Sequence, residues 1–326
     1  MPWRQAMTEA LYAPGGFYAR GEPPSEHFRT SVHAGRGFAA AVLALLERVD
    51  AALDRPDPLD LVDLGAGRGE LLHAVVDLAA DADPKLHARL RPTAVEAVAR
   101  PPGLATQLRW TTRLAALTGL LVANEWLDDI PLGVVQQTDD GPRLVLVDRT
   151  GAESLGPPPT ADDIKWLARW WPLLPGERGE VGRARDEAWG SAVRKVRRGV
   201  AVAVDYAHSL GGRPPGGTLA GYRAGRRVPA VPDGSCNLTA HVALDACAAA
   251  GVAGGATATL LTTQRAALHS LGVTGRRPPL ELAHTDPTGY VRALAGATEA
   301  AELTDPAGLG GFGWLIQGIR VPLPVR

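Results

Sequence analysis

The residues of this chain best able to do chemistry are carboxylates set beside glycines. In LDLVDLGAGRGELL (59–72), Asp63 and Leu64 close an apolar run, Gly65, Gly67 and Gly69 follow, and Glu70 leads a helical pattern of Leu71, Leu72, Ala74, Val75 and Val76. Glycine takes φ > 0 and leaves no Cβ between main chain and ligand. A buried strand, a tight turn and a helix N-terminus are how an open parallel sheet presents main chain to a nucleotide-like ligand. A dinucleotide fingerprint needs a further glycine where Glu70 stands, and a carboxylate there repels a pyrophosphate. S-adenosylmethionine carries no phosphate and has a sulfonium cation, so an acidic turn suits it. Taken alone the G-x-G-x-G spacing is a weak signal, shared with plain structural turns.

A second polar group follows another apolar run, LTGLLVANEWLDDIP (117–131), which places Asn124, Glu125, Asp128 and Asp129 just past a strand. Ligands of open sheets sit outside the carboxyl ends of strands, so this segment is the best candidate for chemistry. Asn124 and Glu125 read as functional and Asp129 as structural. The bland alternative makes Asp128 or Asp129 the N-cap of a helix. Glu96 ends the short run PTAVEAV (92–98), where an acid binds ribose hydroxyls in doubly wound folds; a surface glutamate is the competing reading. A third strand at 108–110 sets Trp110 or Thr111 near an adenine. His208 and His241 are candidate bases, although a lone histidine is more often capped or core.

These groups need a frame to hold them. FAAAVLALLERVDAAL (38–53) has helical spacing and leads into the glycine strand, with a helix over 71–82 and a shorter one over 84–90. A hairpin is expected around Asp139-Asp140-Gly141 within 134–147. From Pro157 to Arg198 the pattern is helical and rich in tryptophan, which reads as core filling. Val200–Val204 is a fifth strand ending at Asp205-Tyr206, and a Gly/Pro/Arg-rich loop covers 208–237. A helix over 239–250, capped by Thr239 or Asn237, precedes a strand, a helix and a last strand over 257–261, 264–271 and 312–321. The fold class is α/β: a seven-stranded sheet with helices on both faces. Four parts are expected: 1–37 as a strap or lid over the cofactor cleft, 38–150 as the first part of the core, 151–198 as a helical insertion, and 199–326 as the rest. The aromatics Tyr12, Phe17, Tyr18 and Phe28 predict that the first part packs on the body, since disordered tails are poor in them.

Composition sets the class. The chain has 326 residues, 45% of them hydrophobic, and a net charge of -1, so nothing argues for nucleic acid or a membrane surface as partner. Lys85, Lys165 and Lys195 are the only lysines against a large excess of arginine. Cys236 and Cys247 make no metal-ligand spacing and no disulfide framework, so no metal is expected. No charged start followed by an apolar core reads as a signal peptide, and a cytoplasmic location is expected.

Several motifs fall in order: DLGAGRGEL, ANEWLDDIP, VDY (204–206), GTLAGYR (217–223), LTAHV (238–242) and LTTQ (261–264), preceded by FYARG and FRTS. Together they resemble the MidA-like family of class I S-adenosylmethionine-dependent methyltransferases, over nearly the whole chain. The resemblance implies a Rossmann-like core with an inserted, mainly helical lobe, S-adenosylmethionine as cofactor and S-adenosylhomocysteine as product. Cofactor contacts are then implied near Thr30, Ser31, Gly65, Gly67, Glu96 and Asn124, with Asp63, Gly69 and Trp110 beside them. The mitochondrial relatives methylate an arginine of a respiratory complex I subunit, which implies a protein acceptor. The chain departs from the family pattern at His27, at Val32-His33, at Gly225-Arg226 and at Asn237, most of them in loops that would form the acceptor side. In-line transfer to a guanidinium would place Glu125, with Asp128 second, as the carboxylate that holds the acceptor and takes its proton. A cofactor-binding assembly factor without catalysis, a small-molecule methyltransferase and a nicotinamide oxidoreductase are the alternatives. Oligomeric state is not legible.

Overall fold

The computed structural model describes residues 1–18 and 30–325. Along the chain come α1 (Trp3–Tyr12), α2 (Arg36–Ala52), β1 (Leu59–Leu64), α3 (Glu70–Ala82), α4 (Pro84–Arg89), β2 (Leu90–Val95), β3 (Arg109–Thr111) and β4 (Leu117–Asn124). Then follow β5 (Gly133–Thr138), β6 (Gly141–Val147), β7 (Glu153–Leu155), α5 (Ala161–Trp170), β8 (Arg178–Val181), α6 (Arg183–Val193) and β9 (Val196–Asp205). Next are β10 (Ala207–His208), β11 (Ala220–Arg223), β12 (Arg226–Val228), β13 (Asn237–Thr239), β14 (Val242–Ala243) and α7 (Leu244–Ala253). The chain ends through β15 (Ala258–Thr263), α8 (Gln264–Ser270), α9 (Leu280–Thr285), α10 (Pro287–Leu303) and β16 (Gly313–Ile319). These elements form two compact units. One takes the described part of 29–124 with Lys195–Val204 and Ala256–Arg326, and the other the described part of 1–28 with Glu125–Arg194 and Asp205–Gly255.

The first unit is built on a seven-stranded sheet of order β15-β16-β9-β4-β1-β2-β3. β1 runs parallel to β2 and β4, β4 to β9 and β2 to β3, whereas β15 and β16 are antiparallel. Strands buried on both faces read as continuous apolar runs, which is why all six residues of β1 are buried. α2 turns Phe38, Val42, Leu45, Leu46 and Val49 inward, and α3 does the same with Leu71, Leu72, Val75, Val76 and Ala79. Asp60 ties three strands together: its carboxylate accepts from Thr118 N at 2.7 Å and pairs with the Arg91 guanidinium. The excursion between β15 and β16 holds α8, α9 and α10.

The second unit has a four-stranded antiparallel sheet, β7-β6-β5-β8, and a three-stranded one, β12-β11-β13. The expected hairpin is there, with Thr138 paired to Gly141 across Asp139 and Asp140. Successive residues of β5 face opposite sides. Val134 packs with Trp3, Met7, Leu11 and Phe17, and Tyr18 lies against this core, whereas Tyr12 stays exposed, so the opening segment packs within the second unit through some of its aromatics only. Val135 faces the other way, into a cluster with Trp166, Leu167, Trp171 and Val181.

Four local readings change. Helix α1 lies in the opening segment that is expected only as a strap or lid; Trp3, Ala6, Met7, Ala10 and Leu11 make its buried stripe. Strand β8 interrupts the helical pattern of 157–198, because Gly179, Glu180 and Val181 complete a sheet edge beside β5. The arginine-rich loop of 208–237 folds into β11 and β12, paired through Tyr222 and Arg227. Neither Thr239 nor Asn237 caps a helix: both lie in β13, and α7 starts only at Leu244. Among the described residues, no helix is long and apolar enough to cross a membrane.

Candidate functional site

In the first unit the glycine turn leaves β1 with all three glycines at positive φ: 76° at Gly65, 57° at Gly67 and 84° at Gly69. Gly65 N donates to Val95 O at 2.9 Å and Gly69 N to Ala66 O at 2.8 Å, so the turn is anchored to the end of β2 and closed on itself. Glu96, the first residue past β2, reaches across and accepts from Gly67 N at 3.0 Å. Glu70 opens α3, where a negative side chain suits the helix dipole. It accepts from Arg68 N at 3.0 Å and faces His33 Nε2 at 3.6 Å. His33 in turn shares a 2.6 Å contact with Thr30 Oγ1, while Ser31 Oγ donates to Gln264 Oε1 at 3.1 Å.

Thr30, Ser31, Gly65, Gly67, Gly69, Glu96 and Asp63 are therefore brought to one place. Trp110 joins them: its ring lies against the space a Gly69 Cβ would take, at 3.7 Å, and its indole N–H donates to Val98 O. Asn124 ends β4 with its register partner Val204 on β9. His33, which the sequence marks only as a departure from the family pattern, is the partner of Glu70. His27 lies outside the described residues, as do the phenylalanine and arginine of the N-terminal motif.

The charge here is negative. Asp63 is buried, and burial, with Glu96 and Glu70 nearby, raises its pKa to about 7. Burial also pushes Glu70 upward, but the bond with His33 and the amides of Glu70 and Arg68 outweigh it and lower its pKa. With the N–H groups of Gly65, Gly67, Arg68 and Gly69 already bonded within the protein and three carboxylates around it, the turn fits a cationic nucleoside and would repel a pyrophosphate. The residues present thus suit S-adenosylmethionine. Among the described residues no cluster of His, Cys, Asp and Glu has the shape of a metal site.

In the second unit the segment after Asn124 folds as a tight loop. Glu125 takes the left-handed conformation, φ 49°. No helix follows, so neither Asp128 nor Asp129 acts as an N-cap; the loop runs into β5. Asp205 at the end of β9 does the capping, its Oδ2 accepting from Leu127 N at 3.0 Å and Asp128 N at 3.2 Å. Asp128 is buried and accepts from Thr239 Oγ1 at 2.6 Å. Asp129 accepts from the Tyr18 hydroxyl and from Asn237 Nδ2 at 3.1 Å. Asn237, another departure from the family pattern, is thus a working partner in this loop. Burial raises Asp128, and burial and then Asp128 raise Asp129 and Asp205 well above the usual carboxylate range.

Two residues that the sequence did not single out complete the network. Glu180 of β8 is buried and accepts from Thr218 N, Thr218 Oγ1 and Leu219 N, and Thr218 Oγ1 accepts from His241 N at 2.8 Å. Arg185 of α6 donates to the carbonyls of Asp128, Ile130, Ala240 and His241. A charged residue in a tryptophan-rich helix gives no sequence signal of such a place. The motifs NEWLDDIP, VDY, GTLAGYR and LTAHV, far apart in sequence, thus meet in one hydrogen-bonded cluster. The candidate bases differ from ordinary histidines. His208 is lowered to about 3 by burial and by Arg213, whose guanidinium bonds its Nδ1 at 2.6 Å, and burial and Arg227 lower His241. Both rings are neutral at pH 7, and His208 is a poor proton acceptor.

A family model described as "Putative S-adenosyl-L-methionine-dependent methyltransferase" matches residues 42–262. None of the curated proteins matches. A crystal structure from Burkholderia thailandensis, described as "a COG1565 superfamily member and likely methyl transferase" and bound to S-adenosyl-homocysteine, is 25% identical with a TM-score of 0.81. The alignment covers 99% of this chain and 88% of that one. A native structure of an uncharacterized protein of the same superfamily and organism is 27% identical, with a TM-score of 0.79 and the same coverage. That superfamily is the MidA-like family whose motifs the sequence carries, and the fold is the expected Rossmann-like class I sheet. With more than half its length matched and its glycine turn built as described, the chain belongs to the family of S-adenosylmethionine-dependent methyltransferases.

Proposed function

We propose that the protein methylates a guanidinium nitrogen of an arginine on a protein acceptor. The observation that carries this reading is the loop 125–129: an acidic segment that follows directly on β4 and is held in place by a dedicated network. A carboxylate binds a guanidinium through two parallel N–H···O bonds, and no neutral acceptor makes equal use of one. S-adenosylmethionine, when bound, supplies an electrophilic methyl carbon on a sulfonium leaving group. Asp63, Glu96 and the main chain at Gly65, Gly67 and Gly69 would hold it, with Thr30, Ser31, Trp110 and Asn124 around them. Carriage of S-adenosyl-homocysteine by the Burkholderia protein supports the assignment.

Transfer then depends on alignment. Glu125 orients the guanidinium, localises its charge and accepts the proton that the methylated nitrogen sheds. Asp128 serves second: one oxygen is committed to Thr239, so it braces the loop and adds negative charge. The acceptor loop is braced by Asn237, and its changed identity points to an acceptor different from that of the mitochondrial relatives. Cytoplasm is the compartment we assign.

The test is transfer of label from S-adenosylmethionine into a lysate lacking this protein. Glu125→Gln is expected to lower turnover about 100-fold while S-adenosylhomocysteine affinity in calorimetry stays within about twofold. Unreduced turnover in that variant removes Glu125 from the role. Binding with no transfer by the wild type would instead mark an assembly factor.

A further inference from the structure

Arg185 has 1% of its surface exposed, and its hydrogen bonds among the described residues go to main-chain carbonyls. Nε donates to Ile130 O at 3.1 Å and Nη2 to Asp128 O at 2.5 Å, both on the loop after β4. Nη1 donates to Ala240 O at 2.7 Å and His241 O at 3.0 Å, both on the connection from β13 to β14. A planar fork with five donors fixes the spacing and tilt of the two loops at once, which a lysine ammonium on a flexible stem does not. Burying a cation costs several kcal/mol in general, so the site needs negative charge around it. Asp128 is the buried acid nearest to supplying it, with Asp186 on Arg185's own helix and Glu125 beside Asp205; Asp129 and Asp205, which burial raises further, and the Cys247 thiol on α7, which burial keeps neutral, also face the cation. His241 faces the cation as well.

We infer that Arg185 is the positioning residue of the acceptor side, holding the loop of Glu125 and Asp128 against the LTAHV segment and keeping negative charge in the acidic group beside it. This rests on the transfer reading given above. It assigns a role to a helix that none of the motifs include. The cation works through Asp128 and its neighbours and touches no substrate.

The test compares Arg185→Lys and Arg185→Met with the wild type in three measurements: hydrogen exchange, S-adenosylhomocysteine affinity and the pH profile of label transfer into lysate. Arg185→Met is expected to speed exchange at 127–131 and 239–242 at least tenfold, with β1 and α3 and the affinity within about twofold of wild type. Removing the cation makes the carboxylates harder to ionise, so the acid limb of the profile moves to higher pH by about one unit. Arg185→Lys keeps the charge and loses the fork, so its acid limb stays while its rate falls about tenfold. Wild-type exchange in both segments, or an unmoved acid limb in Arg185→Met, overturns the inference. Should Arg185→Met fail to fold, Arg185→Lys decides: unchanged exchange and rate overturn it. A wild type that transfers nothing refutes the methyl-transfer reading, and the exchange data still decide whether Arg185 holds the loops.

Discussion

Asp63 shows how one buried acid can choose a ligand. An ordinary aspartate has a pKa of about 3.9. Here burial, then Glu96 and Glu70, raise it to about 7, so the folded protein binds a proton that the unfolded chain has lost. The contribution to stability is therefore greatest at low pH and declines as pH rises from about 4 to about 7. A cation placed beside Asp63 favours the ionised form and reverses the shift. Affinity for S-adenosylmethionine should then rise about tenfold between pH 6 and pH 8, the increment that follows when a group of pKa 7 must ionise to bind. Asp63→Asn should bind weakly with no such slope, and should resist urea at pH 8 better than wild type. Calorimetry and urea titration at the two pH values measure both, and a slope unchanged in the variant would take Asp63 out of cofactor recognition.

At the scale of elements, the centre of the sheet depends on a close approach of strands. Gly119 of β4 lies opposite Asp60 of β1 and beside Gly199 of β9. Its φ is 148°, and a Cβ there would sit 2.0 Å from Asp60 O, a main-chain atom that cannot swing away. Gly119→Ala should cost about 3 kcal/mol of stability in urea denaturation, the upper range for a conformation held essentially by glycine alone. A loss under about 1 kcal/mol would mean that the sheet relaxes around the added methyl. The strands themselves were legible, because parallel strands covered on both faces spell apolar runs such as LDLVDL and VAVAVD. The Gly119 approach was not, since a glycine inside LTGLLVAN gives no sign of which neighbour it meets. Strands β8, β11 and β12 were hidden for another reason: three or four residues carry too little periodicity to outweigh glycine, proline and arginine around them. Thr239 looked like a helix cap by residue type, and only the fold reveals that its hydroxyl is taken by Asp128. The glycine turn, Glu96 and the NEWLDD segment were readable as local strings, whereas Arg185 and Glu180 act on distant segments that sequence does not align with them.

At the scale of the whole molecule the charge is nearly balanced, -1 over 326 residues, so no long-range field draws a cation in. On the proposed reading, selection of the cofactor is local, by three carboxylates around one turn in the first unit. Such partly buried pairs are little screened, so affinity should change less than about threefold between 50 and 300 mM salt. The chain alternates between the units along its length, with the glycine turn in one and the loop from Glu125 in the other. Ligand bound to the native state alone stabilises by about 2.7 kcal/mol at a concentration 100 times its Kd. That stabilisation should appear first where the contacts are made. Under hydrogen exchange, S-adenosylhomocysteine should slow the amides of 65–70 and 95–97 at least tenfold and leave the β5–β6 hairpin unchanged, while NAD slows neither. Protection by NAD at the glycine turn, or protection by S-adenosylhomocysteine confined to the hairpin, would show that the acidic turn is not what holds the nucleoside.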